Sequence, residues 1–139
     1  MGECGVLRVA AQSTNLARVN EAVRQAAERV GLDARAVFQV EMALDEAFSN
    51  VVEHAYAGRA SGDVEVSWFV EDGAFVVVLH DWGQAFDPTR VPEPDLTASL
   101  EDRNLGGLGL HFMRSLMDSV DYTFDQDGNW LRFTKTLPE

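Results

Sequence analysis

The chain has 139 residues, 46% hydrophobic and 24% charged, a size and balance that suit one soluble domain with a real core. Its net charge of −12 excludes nucleic acid as a general partner, because phosphate binding needs clustered Lys and Arg; a basic protein, or a polyanion held by backbone amides and a metal, remains possible. Cys4 is the sole cysteine, which excludes an internal disulfide and a CxxC metal site, and no apolar run reaches the ~18 residues of a membrane span.

The opening stretch, MGECGVLRVAAQS, lacks a basic start followed by an apolar core, so a cytoplasmic location is expected. Residues 6–12, VLRVAAQ, predict a first strand. Ser13 or Thr14 is placed to cap a helix running to about Val30, with Leu16, Val19, Ala22, Val23, Ala26 and Val30 on one stripe and Gly31 as its stop. Asp33 is the expected cap of a second helix that runs to about Tyr56 and carries Val37, Val40, Leu44, Ala47, Phe48, Val51 and Ala55 on a broad apolar face. Residues 63–71, DVEVSWFVE, alternate as a half-buried strand does, and Asp72-Gly73 marks a tight turn. Residues 74–80, AFVVVLH, are continuously apolar, the pattern of a central strand covered on both faces.

From Trp82 to Gly107 no period emerges, and Pro88, Pro92 and Pro94 interrupt the chain; a loop so long inside a compact domain is usually functional or disordered. Leu110, Phe112, Met113, Leu116 and Met117 then predict a third helix, and DYTFDQDGNWLRFTKTL closes the chain as a hairpin around Asp127-Gly128. The order β-α-α-β-β-loop-α-β-β gives a single α+β domain over residues 1–139: a two-layer sandwich with helices on one face of a mixed, mostly antiparallel sheet.

On the second helix Glu46, Asn50 and His54 follow one another at four-residue steps and form a slanting ridge. A carboxylate can take or orient the proton of an attacking hydroxyl, and a carboxamide oxygen is a hard, neutral ligand of the kind Mg²⁺ accepts beside waters and phosphates. The same spacing also serves a solvated helix face, since Glu41, Asp45 and Glu53 are polar too. His54 reads as a helix-end or packing residue, with no second His or Cys at zinc spacing.

Two further segments carry chemistry. In DWGQAFDP, residues 81–88, Asp81 sits at a strand end and can accept from an exocyclic amine, while Gly83 permits close approach to a flat ring. The alternative is a plain Asp-x-Gly turn with Phe86 buried. In GGLGL, residues 106–110, glycines opening a helix leave N–H groups free for a phosphate; a flexible hinge is the alternative there. Neither a P-loop nor the protein-kinase motif set occurs.

Taken together, E-x-x-x-N, D-x-G-x-x-F-D-P and G-G-L-G-L at these separations resemble the GHKL ATPase superfamily, and EAFSNVVEHAY and GGLGLHFMRSLMD resemble its small bacterial anti-sigma factor serine/threonine kinases. The resemblance spans nearly the whole chain and implies the histidine-kinase-like ATPase fold, with ATP and Mg²⁺ as ligands. It implies that Asn50 holds the metal, that Glu46 is the general base, and that Asp81 reads adenine with Gly83, Ala85 and Phe86 beside it. Ala85 stands where the family carries a second glycine. Gly106, Gly107, Leu108, Gly109 and Leu110 match the phosphate-binding turn, residues 88–105 the ATP lid, and Arg103, with Arg90 an equal candidate, the group approaching the γ-phosphate.

The function so implied is transfer of the γ-phosphoryl of ATP to a serine on a small antagonist protein in a partner-switching pathway. A sigma factor is then the sequestered partner, the chain a homodimer, and the first helix part of the partner-facing surface; neither nucleic acid nor membrane is contacted directly. The alternative is a non-catalytic nucleotide-binding module that regulates by occupancy, against which Glu46 argues, since a pure binder has no use for that carboxylate. The catalytic half of a sensor histidine kinase is a third reading, disfavoured because no dimerisation helix with a phosphoacceptor His precedes the first strand.

Overall fold

The computed structural model describes residues 3–56, 62–85 and 113–138. Strand β1 (Cys4–Ala10) leads through a short 3₁₀ turn (Ser13–Asn15) into helix α1 (Leu16–Arg29). Helix α2 (Ala34–Asn50) continues as a π turn (Val51–Ala55). Strands β2 (Asp63–Glu71), β3 (Ala74–Asp81), β4 (Ser119–Asp125) and β5 (Gly128–Thr136) follow. Residues 113–116 are helical, within the expected third helix, whose start lies outside the described residues.

Local chemistry accounts for most boundaries. Asp33 accepts from the Ala36 amide at 2.8 Å and caps α2 as expected. The cap expected of Ser13 or Thr14 is a correction: those residues form the 3₁₀ turn, and α1 starts after Asn15. The Asn15 side chain instead donates through Nδ2 to the Ala10 carbonyl at 2.9 Å, so it tethers the helix start to β1 and does not cap it. Asp72 and Gly73 both have positive φ, 52° and 76°, the two-residue hairpin turn that the Asp-Gly pair predicts.

The sheet order is β1-β2-β3-β5-β4, with antiparallel pairing at each neighbouring pair. The mixed sheet expected from the sequence needs correction: every neighbouring pair of the described strands is antiparallel, so no parallel pair occurs among them. β3 and β4 run the same way because each is antiparallel to β5, and β5 lies between them. Two helices between β1 and β2 likewise bring the chain back reversed, so those strands pair antiparallel.

Val64, Val66 and Trp68 of β2, Phe75, Val77 and Leu79 of β3, and Leu131 and Phe133 of β5 share one face by register. They are buried in one core with Val19, Val23 and Ala26 of α1 and Val40, Leu44, Ala47 and Phe48 of α2. Both predicted helical stripes face that core. Burial of this apolar face, at roughly 25 cal/mol per Å², is the main force holding helices to sheet.

The reading of β3 as covered on both faces holds, since Phe75, Val77 and Leu79 on one face and Val76 and His80 on the other are buried. Among the described residues, helix residues cover one face only. On the other, Val76 is shielded between its cross-strand neighbours Phe69 and Thr134, and His80 is stacked on Trp130 at 3.5 Å and tilted against Trp82 at 4.1 Å. Large side chains on flanking strands thus do what a second helical layer would do.

Candidate nucleotide site

The site forms where the end of α2 meets the end of β3. Ala47, Asn50, Val51 and Ala55 from the helix side, Leu79 and Asp81 from β3, Tyr122 from β4, and Asn129 and Leu131 from β5 line one cavity of about 330 Å³, its open mouth included. Its walls are mostly apolar, with a few polar groups at fixed places, as in small-ligand sites. Asn50, Asp81 and Asn129 are about 95% buried.

A π turn widens the helix directly after Asn50, a feature that recurs at functional sites. It also ends the ridge expected of Glu46, Asn50 and His54. A π turn advances fewer degrees per residue, and His54 is not among the lining residues. His54 instead presents its carbonyl to Gln84 Nε2 at 2.9 Å, and its ring lies 3.8 Å from the Glu53 carboxylate.

The loop after β3 is stitched to that turn. The Gln84 amide donates to the Ala55 carbonyl at 2.7 Å. A Cβ on Gly83 would stand 2.2 Å from the same carbonyl oxygen, so only glycine lets the two backbones meet here. In the described structure the close approach that Gly83 permits is thus to the helix end. Tyr56 Oη donates to the Asp63 carbonyl at 2.6 Å and accepts from the Trp82 amide at 3.0 Å, fastening the same corner to the start of β2.

Asp81 is the best-braced group of the site. Its Oδ1 accepts from the Gly83 amide at 2.9 Å and from Asn129 Nδ2 at 2.8 Å. Burial pushes its carboxyl above the ordinary value, and those two hydrogen bonds pull it back. Asn50 is the opposite case: its buried amide nitrogen has no hydrogen-bonding partner among the described residues. An unpartnered buried N–H donor costs stability and does not itself ligate a cation; it is the oxygen of the same carboxamide that is of the kind Mg²⁺ takes beside waters and phosphate oxygens. Glu46, one turn earlier, is half-buried and does not line the cavity. Burial, and then repulsion from Glu53, raise its carboxyl above the ordinary 4.5, the direction that suits a base working near neutrality.

The structure therefore brings Asn50 and Asp81 together, with Glu46 a turn away from Asn50. Gly83 is buried beside Ala55, and Ala85 is exposed. Phe86, Arg90, Arg103, Gly106, Gly107, Leu108, Gly109 and Leu110, with the lid at 88–105, lie outside the described residues. Tyr122, Asn129, Gln84 and Tyr56 escaped the sequence reading. The only local signal for Asn129 is its place after the Asp127-Gly128 turn; its partnership with Asp81 depends on strand register.

The sequence matches the family described as histidine kinase-like ATPase domain over residues 9–135. Serine-protein kinase RsbW of Listeria monocytogenes is 33% identical over 104 residues, covering 72% of this chain and 66% of the relative. The chain thus spans slightly less than two thirds of that kinase. Serine/threonine-protein kinase BtrW of Bordetella bronchiseptica is 32% identical over 107 residues, 76% of this chain and 75% of the relative. The RsbW kinase of Halalkalibacterium halodurans is 31% identical over 135 residues, 94% and 82% of the two chains. A crystal structure of RsbU and RsbW domains from a Mycobacterium tuberculosis protein superposes with a TM-score of 0.70 at 20% identity, over 97% of this chain and 32% of that one. At that identity the likeness concerns the fold.

Proposed function

The chain belongs to the histidine kinase-like ATPase domain family, and from that premise we propose that it is an ATP-dependent protein serine kinase. It transfers the γ-phosphoryl of ATP to a serine on a small antagonist protein, and by binding a sigma factor when that antagonist is phosphorylated it acts as an anti-sigma factor in a partner-switching pathway. The observation that carries this reading is the single cavity shared by Asn50 at the end of α2 and Asp81 at the end of β3. The names of the relatives, serine and serine/threonine kinases, support the reaction class.

Asp81 accepts from the exocyclic amine of adenine. Asn50 would hold Mg²⁺ through its carboxamide oxygen, and the metal would supply neutralisation of the phosphate charge. Glu46 orients the serine hydroxyl and takes its proton. Such transfers rest on positioning and charge neutralisation, so the chain's work is to hold three groups on two rigid elements. The phosphate-binding turn at Gly106 to Leu110, the lid at 88–105 and Arg103 complete the site on the strength of family resemblance. No helix among the described residues is long and apolar enough to cross a membrane; a cytoplasmic homodimer is the working form of this proposal.

The test separates binding from chemistry. Asn50→Ala should abolish Mg²⁺-dependent ATP binding by calorimetry, whereas Glu46→Gln should keep it and lower phosphoserine formation on the antagonist by ~10² or more. Wild-type transfer by the Glu46 variant would refute the base. ATP binding by the wild type with no transfer to any antagonist would reduce the protein to a regulatory binding module.

A further inference from the structure

Three neighbouring strands place a chain of hydrogen bonds behind Asp81. Tyr122 on β4 donates its phenolic hydrogen to Asn129 Oδ1. Asn129 on β5 donates through Nδ2 to Asp81 Oδ1 on β3 and to the Gln84 carbonyl, both at 2.8 Å. All three side chains line the same cavity. Asn129 stands directly opposite Asp81 in register, and the Gly128 before it has φ +112°. A Cβ at Gly128 would lie 2.1 Å from the Asp81 carbonyl oxygen, so that glycine lets β5 close onto the end of β3.

The carboxamide of Asn129 has one workable orientation. Its NH₂ faces two acceptors, a carboxylate oxygen and a carbonyl, while its oxygen faces a hydroxyl. Rotated by half a turn, its oxygen would confront both acceptors. Gly83 donates to Asp81 Oδ1 as well, so the bracing converges on one carboxylate oxygen and Oδ2 carries none of these bonds. We propose that Tyr122 and Asn129 are specificity-determining positioning residues: they hold Asp81 as an acceptor whose remaining oxygen demands a donor on C6 of the purine. A 6-amino purine satisfies it. A 6-oxo purine sets acceptor against acceptor, and an unsubstituted C6 leaves Oδ2 unpaired. The inference rests on the nucleotide reading above and deepens it, by naming what enforces the choice of base.

The experiment is calorimetric titration of the chain with the Mg²⁺ forms of ATP, GTP and purine riboside triphosphate, which lacks any group at C6. The variants are Tyr122→Phe and Asn129→Asp, with circular dichroism to show that each folds. Wild type should bind ATP over purine riboside triphosphate by about tenfold or more, the scale of a hydrogen bond to a charged group. Tyr122→Phe should shrink that ratio several-fold while leaving the C6-unsubstituted nucleotide nearly unaffected, and Asn129→Asp should erase it. Equal weakening of both nucleotides would mean that the pair only supports packing, and an unchanged ratio would mean that it plays no part; either overturns the proposal, as would failure of both variants to fold. If wild type itself binds no nucleotide, the site reading fails, and that is seen before any variant is made.

Discussion

At the scale of single residues, the site works by unequal compensation of buried polar groups. Asn129 donates to Asp81, whereas Asn50 is buried with an amide nitrogen that has no partner among the described residues and Glu46 is half-buried beside the repulsion of Glu53. Glu46 therefore costs stability in its charged form. Because the folded state holds its proton to higher pH than the unfolded chain, its contribution is fully present below the ordinary 4.5 and is lost as pH rises through the raised folded value. Glu46→Gln should accordingly be more stable than wild type at pH 7 to 8 and converge with it on acidification, as read by urea denaturation across pH. A pH-independent difference would remove Glu46 as the origin. Asp81, Asp45 and Glu41 are raised in the same direction by burial, so wild type alone cannot isolate this effect and the variant can.

At the scale of elements, the decisive joint is the contact between the π turn and the loop after β3. It rests on backbone: Gln84 donates to Ala55, and Gly83 lies against the same carbonyl with no room for a methyl group. Gly83→Ala should destabilise the fold by about 1–3 kcal/mol, the usual cost of overpacking, and should weaken ATP binding beyond what lost stability explains, because it pries Asp81 from Asn50. Chemical denaturation and calorimetry together check this; wild-type values in both would show that the joint yields freely. The helical stripes, the Asp33 cap and the Asp72-Gly73 turn were legible beforehand because each depends on neighbours within a few residues. The π turn was not. The turn is in contact with the loop after β3, through Gln84 and Gly83 against Ala55, a long-range partnership that no local period encodes.

At the scale of the whole molecule, a chain of net charge −12 is proposed to bind a polyanion, and self-repulsion opposes that unless a cation intervenes. MgATP at a hundred times its dissociation constant should add about 2.7 kcal/mol of stability by mass action. That is a rise of several degrees in melting temperature for a domain of this size. ATP with a chelator should give little of it. An equal shift with and without Mg²⁺ in differential scanning fluorimetry would count against Asn50 as a metal-holding residue.

What the sequence settled by itself was the element order, the α+β class, the buried faces and the two groups, Asn50 and Asp81, that meet in the cavity. Those follow from short-range periodicity, capping and turn chemistry, and from motif spacing that survives in the linear chain. Tertiary structure alone decided that β5 would insert between β3 and β4, that His54 would leave the ridge, and that Tyr122 and Asn129 would stand behind Asp81. Strand neighbours are chosen by how the sheet buries its face against the helices, and register across strands joins residues 48 positions apart, a distance over which no local pattern carries information.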